Sequence, residues 1–136
     1  MPNAATTGLI EAYYDAFNSQ DIDRFLGYLT DDVVHDINQG NRETGKDAFR
    51  AFIARMNRCY EEKIVDIFVM TNADGSRAAA EFTVLGVYLE TDDGLPPAEG
   101  QRYSLPAGAF FEIRDGKVAR ISNTYNLNDW VKQVGG

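Results

Sequence analysis

Two hydrophobic periodicities divide the chain. In the N-terminal part apolar residues recur every three to four positions, and further on they fall on every second one. Leu9, Ile10, Tyr13, Tyr14 and Phe17 lie on one face of a helix for which Thr6 or Thr7 supplies an N-cap. Asn18-Ser19-Gln20-Asp21 interrupts it, and Asp21 can cap a second, shorter helix burying Phe25, Leu26 and Leu29. Val33-Val34-His35-Asp36-Ile37 reads as a strand, followed by a polar turn, Asn38-Gln39-Gly40-Asn41. Thr44 and Asp47 stand at capping-box spacing, with Asp a weaker partner than Glu. Behind them Phe49, Phe52, Ile53 and Met56 follow the i, i+3, i+4, i+7 pattern of a third amphipathic helix.

The remainder alternates. Lys63 to Thr71 is rich in β-branched residues and ends at the turn signal Asn72-Ala73-Asp74-Gly75. Arg77 to Glu90 predicts a long strand. One face carries Ala78, Ala80, Phe82, Val84, Gly86 and Tyr88; the other carries Glu81, Thr83, Leu85, Val87 and Leu89. Both faces are largely apolar, so this strand is expected to be covered on both sides, by helices on one and a second subunit on the other. Residues 91–100 form an acidic, proline-containing loop. Tyr103–Arg114 and Lys117–Tyr125 make a hairpin about Asp115-Gly116. Asn128 caps a last short helix carrying Trp130, Val131 and Val134. The expected order is two helices, a strand, a helix, four strands and a C-terminal helix, an α+β arrangement with the sheet wrapped around its helices.

Composition adds limits. The 136 residues suit a single domain, 1–136, and 44% hydrophobic content is enough to fill one core. Asp plus Glu number 21 against 13 Lys plus Arg, a net charge of −8, so phosphate backbones and anionic membrane surfaces are repelled. No nucleic-acid or membrane partner is expected. The first seven residues, Met1 to Thr7, lack the basic start and apolar stretch of a secretory leader, and a cytoplasmic location is the expectation. Cys59 is the single cysteine and His35 the single histidine, which excludes an intrachain disulfide and any multi-histidine metal cluster. The acidic pairs Asp31-Asp32 and Asp92-Asp93 lack calcium-loop spacing and read as solvated turns. Neither a metal nor another cofactor is expected.

Two stretches carry a resemblance. The segment from Glu11 to Asp23, followed by Leu29-Thr30-Asp31-Asp32-Val33-Val34, resembles the start of the NTF2-like superfamily. His35-Asp36-Ile37-Asn38-Gln39-Gly40 and the segment Tyr103 to Ile113 are similar to ketosteroid isomerase-related proteins of the SnoaL-like branch. The resemblance spans nearly the whole chain. It implies a cone (a cystatin-like α+β barrel) in which three N-terminal helices pack against a curved, mainly antiparallel sheet around a deep pocket. It implies less about reaction, because this superfold hosts isomerases, dehydratases, hydrolases and binders without catalysis.

The same resemblance nominates site residues. Asp36, at the end of the first strand, falls near the general base of the isomerases, after a one-residue gap. A carboxylate at the mouth of an apolar pocket gains basicity by desolvation, which suits abstraction of a C–H proton beside a carbonyl. The competing role for Asp36 is to bond backbone N–H groups of its own turn. Tyr13, with Tyr14 as the alternative, falls where a hydroxyl donates to the substrate oxygen. The two are about 100° apart on a helix, so they are expected to point in different directions. Strand alternation turns only one of His35 and Asp36 inward, leaving His35 the competing site residue. Asn38, Gln39, Asn123 and Tyr125 are candidate substrate contacts.

One departure limits the isomerase analogy. The second oxyanion donor of those enzymes, a protonated Asp, falls here at Gly108 or Ala109, where no carboxylate is available. The expected function is therefore a cofactor-independent, isomerase- or lyase-like enzyme acting on a small or medium apolar carbonyl compound as a homodimer. The alternatives are a non-catalytic small-molecule binding module and a dimerisation domain using the same pocket.

Overall fold

The computed structural model describes residues 3–135. Asn3, rather than Thr6 or Thr7, caps the first helix: its Oδ1 accepts from the Thr6 N–H at 3.0 Å, and α1 runs Ala4–Asn18. Thr6 is used otherwise, donating its hydroxyl to the Gly75 carbonyl at 2.8 Å and tying α1 to a strand turn. Asp21 caps α2 (Ile22–Gly27) as its sequence context predicts.

A strand β1 then spans Leu29–Asp36, so Leu29 is a buried strand residue rather than part of the second helix. The turn after it leads into a short strand that the hydrophobic pattern does not signal, β2 (Arg42–Thr44). The Thr44–Asp47 capping box does not form. Gly45, at φ +97°, occupies the cap of α3 (Lys46–Cys59) without a side-chain bond, a conformation glycine adopts freely. Four long or medium strands follow: β3 (Tyr60–Thr71), β4 (Arg77–Tyr88), β5 (Arg102–Arg114) and β6 (Lys117–Tyr125). The turn between β5 and β6 places Asp115 and Gly116 both at positive φ, as a two-residue hairpin loop requires. A final helix α4 (Leu127–Gly135) is capped by Asn126, two residues before Asn128.

The six strands form one sheet in the order β2-β1-β6-β5-β4-β3. All neighbours are antiparallel except β1 and β6, which pair in parallel and make the sheet mixed. β3 lies at one edge and β1 near the other, yet α3 packs against both, so the sheet curls around the helix. α1 is pinned to β3 by Asn18, which donates to the Ile64 carbonyl and accepts from the Ile64 N–H, each at 2.8 Å.

Alternation decides what faces the hollow. Ala78, Ala80, Phe82, Val84, Gly86 and Tyr88 of β4 are all buried, while Leu85 on the other face is exposed. β3 changes parity midway. Its register with β4 slips between Val65 and Phe68, where Asp66 sits at φ +53°. This bulge leaves Tyr60 and Ile64 inside but turns Phe68 and Met70 outward, 65% and 54% exposed. Together with Phe110 they form an apolar patch on the outer face. Among the described residues no helix is long and apolar enough to cross a membrane.

Candidate functional site

Between the helices and the concave side of the sheet lies a cavity of about 200 Å³, larger than the roughly 150 Å³ engineered void that accepts benzene. Its wall is mostly aromatic and aliphatic. Phe17, Phe25, Phe49, Phe52, Phe82 and Trp130 contribute rings from five different elements. Arg55, Thr124 and Tyr125 are the exposed members of the lining and mark where it opens.

Tyr13 and Tyr14 both line this cavity. Their directions differ, with ring planes 87° apart, yet both lie on the buried side of α1, edge to face with ring centroids 5.0 Å apart. Tyr13 packs on Phe25 and Phe111, and Tyr14 on Phe82 and Phe111. The Tyr14 hydroxyl is buried with no hydrogen-bond partner, which is costly for a polar group unless a ligand completes it. Burial raises both phenol pKa values, so both stay protonated donors at neutral pH.

His35, not Asp36, is the inward member of its pair. The imidazole is 2% exposed, stacked on Phe49 at 4.4 Å and edge-on to Phe52 at 4.6 Å. Burial pushes its pKa down to about 4, against the opposing pull of the neighbouring Asp36 charge, so the ring is neutral at pH 7. Asn123 Nδ2 lies 3.4 Å from His35 Nε2, while His35 Nδ1 is buried without a partner.

Asp36 lies outside the cavity lining. Arg42 of β2 grips it twice, Nε to Oδ1 at 2.6 Å and Nη2 to Oδ2 at 3.1 Å, and Arg120 Nε of β6 donates to Oδ2 at 2.9 Å. The Arg42 bond, with Arg120 behind it, holds the carboxyl below its usual range although partial burial opposes this. A carboxylate so stabilised is a weaker base, and it faces away from the hollow. Asp36 is therefore not the pocket base that the resemblance implied.

The remaining nominees divide. Asn123, Asn38 and Tyr125 line the cavity. Asn38 clasps the end of β6, donating to the Tyr125 carbonyl at 3.0 Å and accepting its N–H at 3.3 Å. Gln39 does not line the cavity; it is exposed at φ +54° in the turn. Gly108 lines the wall as a bare backbone, so no second carboxylic acid stands there.

Sequence reasoning missed a second polar cluster. Glu62 lines the cavity from β3 and accepts a hydrogen bond from the Tyr103 hydroxyl at 2.5 Å. Burial raises its pKa, with the Tyr103 bond acting against this. Nearby, the Tyr60 hydroxyl donates to Asp92 at 2.8 Å, and Arg55 approaches the other oxygen of Asp92 at 3.8 Å. The missed signal was alternation itself. Starting the strand at Tyr60 instead of Lys63 puts Glu62 on one face with Tyr60 and Ile64. On β5, Tyr103 stands four inward rows from Phe111, and Phe111 is level with His35 across the sheet. His35 with Asn123, and Glu62 bonded to Tyr103, thus line one mainly apolar chamber together with the two tyrosines.

A SnoaL-like domain family model matches residues 10–121. The chain is 64% identical to a candidate polyketide cyclase from Pseudomonas putida KT2440, with a TM-score of 0.94 over 95% of this chain and 97% of that one. A second candidate polyketide cyclase, from Silicibacter sp. TM1040, is 47% identical, with a TM-score of 0.97 over 100% of this chain and 99% of that one. An LEH-like epoxide hydrolase from M. tuberculosis shares the fold at 22% identity, with a TM-score of 0.71 over 96% of this chain and 89% of that one. No curated protein matches the chain.

Proposed function

The chain belongs to the SnoaL-like family of the NTF2-like superfamily, and from that premise we propose that it is a cofactor-independent enzyme acting on a small, mainly apolar carbonyl compound. It removes a proton from the carbon beside the carbonyl. The observation that carries this reading is the Tyr14 hydroxyl, buried without a protein partner on a residue that lines the cavity. A neutral donor deep in a low-dielectric chamber does little for a hydrocarbon but stabilises an oxygen on which negative charge develops. Tyr13 and Tyr14 serve as the candidate donors. His35 with Asn123, and Asn38 with Tyr125, bind polar atoms further along the substrate.

Isomerisation and ring closure both start from the enolate so formed. Return of the proton to another carbon gives an isomer; attack of the enolate carbon on a second carbonyl closes a ring. The similarity to two candidate polyketide cyclases supports the second outcome as much as the first. The outer apolar patch of Phe68, Met70 and Phe110 supports a homodimer formed through the convex side of the sheet. Removal of Asp36 from the cavity favours one alternative, a non-catalytic binding module.

The test is solvent exchange. Incubated in D2O with 2-tetralone, the enzyme should speed incorporation of deuterium beside the carbonyl, and Tyr14→Phe should suppress it. Trp130 is the single tryptophan and lines the cavity, so its fluorescence reports binding separately. A change in that fluorescence with no exchange above the buffer rate would reject catalysis and leave the binding module.

A further inference from the structure

We propose that Glu62 is the general base of the cavity, and that Tyr103, lying across Gly86, is the residue that positions it. This deepens the enzyme reading above and rests on it. The register carries the geometry: Glu62 on β3 is level with Gly86 on β4, which is level with Tyr103 on β5. A tyrosine on β5 would ordinarily be separated from β3 by the side chain of the strand between them. Here that side chain is missing. A Cβ built on Gly86 would lie 2.2 Å from Tyr103 Cζ and 2.4 Å from its hydroxyl oxygen, so the ring occupies the space that any other residue would fill. The hydroxyl then reaches Glu62 Oε2 at 2.5 Å. Trp130 backs the Tyr103 ring edge-on at 5.9 Å and keeps it against the sheet.

Glu62 can accept a proton at Oε1, for which the described residues provide no hydrogen-bond partner. In the forward step the substrate C–H bond breaks, Oε1 takes the proton, and the electron pair moves to the carbonyl oxygen to form the enolate. In the closing step Glu62 returns the proton to carbon, or to the alkoxide if a new C–C bond has formed. Protons and electrons balance without a further reactant. Tyr103 holds one carboxylate oxygen so that the other is fixed toward the chamber, as proton transfer requires a set geometry. The titratable groups facing Glu62 are Tyr103 from β5, Tyr125 from β6 and Tyr60 on its own strand, with the Asp92–Arg55 pair beyond Tyr60. Burial dominates over these neighbours and favours the protonated carboxyl.

The test joins a titration to the exchange assay. With 13C-labelled glutamate, the Glu62 carboxyl should titrate above the ordinary value of about 4.3. Tyr103→Phe removes a donor to the charged form and should raise that pKa further; Gly86→Ala, by displacing the ring, should do the same. In wild type the exchange rate should fall on the acid side at the measured Glu62 pKa, and Tyr103→Phe should move that limb to higher pH. Glu62→Gln should lower exchange roughly 10²–10⁴-fold while Trp130 fluorescence shows binding of 2-tetralone within about threefold of wild type. Titration at the ordinary value, or full exchange in Glu62→Gln, overturns the base assignment and leaves the enzyme reading standing. Binding by wild type without any exchange overturns both. If Tyr103→Phe lowers the rate without moving the acid limb or the titration, the positioning role fails while Glu62 remains the base.

Discussion

Asp36→Asn separates a structural carboxylate from a catalytic one. The side chain is 22% exposed and shares two arginines, Arg42 in solvent and Arg120 more sheltered at 26%. Exposed ion pairs contribute little, so the Arg42 arm is discounted and the Arg120 arm carries most of the effect. Asparagine keeps the shape but loses the charge, and it leaves two guanidinium groups facing a neutral amide. The expected cost is about 1 kcal/mol, because partly shielded charge-assisted bonds are worth roughly that much. For a domain of this size that corresponds to a fall in Tm of roughly 3–6 °C by circular dichroism. The pH dependence has a definite sign. The Asp36 pKa is depressed in the folded state, so its stabilisation is full above the ordinary carboxylate range and is lost as pH falls through the folded value. The gap between wild type and variant should therefore close in acid. Deuterium exchange into 2-tetralone at pH 7 should stay within about threefold of wild type. A loss of several orders of magnitude in exchange with an unchanged Tm would refute this reasoning and return Asp36 to the site.

Three other outcomes are expected. Tyr14→Phe removes a buried hydroxyl that has no protein partner, so chemical denaturation should show no loss of stability, while exchange falls roughly 10²–10³-fold as for loss of one oxyanion donor. Because the His35 pKa is depressed to about 4, stability present above about pH 6.5 should decline on acidification, by about 2 kcal/mol between pH 7 and 5. Urea titrations of His35→Phe should show a flatter profile over that interval. Sedimentation equilibrium at micromolar protein should find a dimer in wild type and a monomer in Phe110→Glu, which puts a charge into the 55%-exposed ring position on the outer face.

How far the fold could be read from the chain depends on which interactions are local. The four helical segments, the grouping of β4 residues by face and the Asp115-Gly116 hairpin follow from spacing and turn chemistry within a few residues, and they form. The caps of α1, α3 and α4 do not follow, since Asn3, Gly45 and Asn126 take the places of Thr6 or Thr7, the Thr44–Asp47 box and Asn128. β2 does not, because Arg42–Thr44 is too short to show alternation and exists only through pairing with β1. The outward turn of Phe68 and Met70 was equally hidden. It depends on a bulge at Asp66, a residue that nothing in the alternation marks as left-handed.

The site shows the same division at a finer scale. Alternation alone establishes that His35 and Asp36 face opposite ways, but not which of them faces the hollow. That choice is made by Arg120, 84 residues further along the chain, and by Arg42 on β2, a strand without a hydrophobic signal of its own. An acid with two cationic partners gains nothing from a desolvated chamber, whereas a neutral imidazole between Phe49 and Phe52 keeps its ring buried and avoids a charge. Desolvation makes a carboxylate a better base only where the acid stands on an inward face with no cation to neutralise it. Glu62 meets that requirement: it shares a face with Tyr60 and Ile64, its bonded partner is a phenol rather than a guanidinium, and the absent side chain of Gly86 lets that phenol arrive. A single missing Cβ on β4 thus connects residues on two other strands, a relation visible only once the register of all three strands is known.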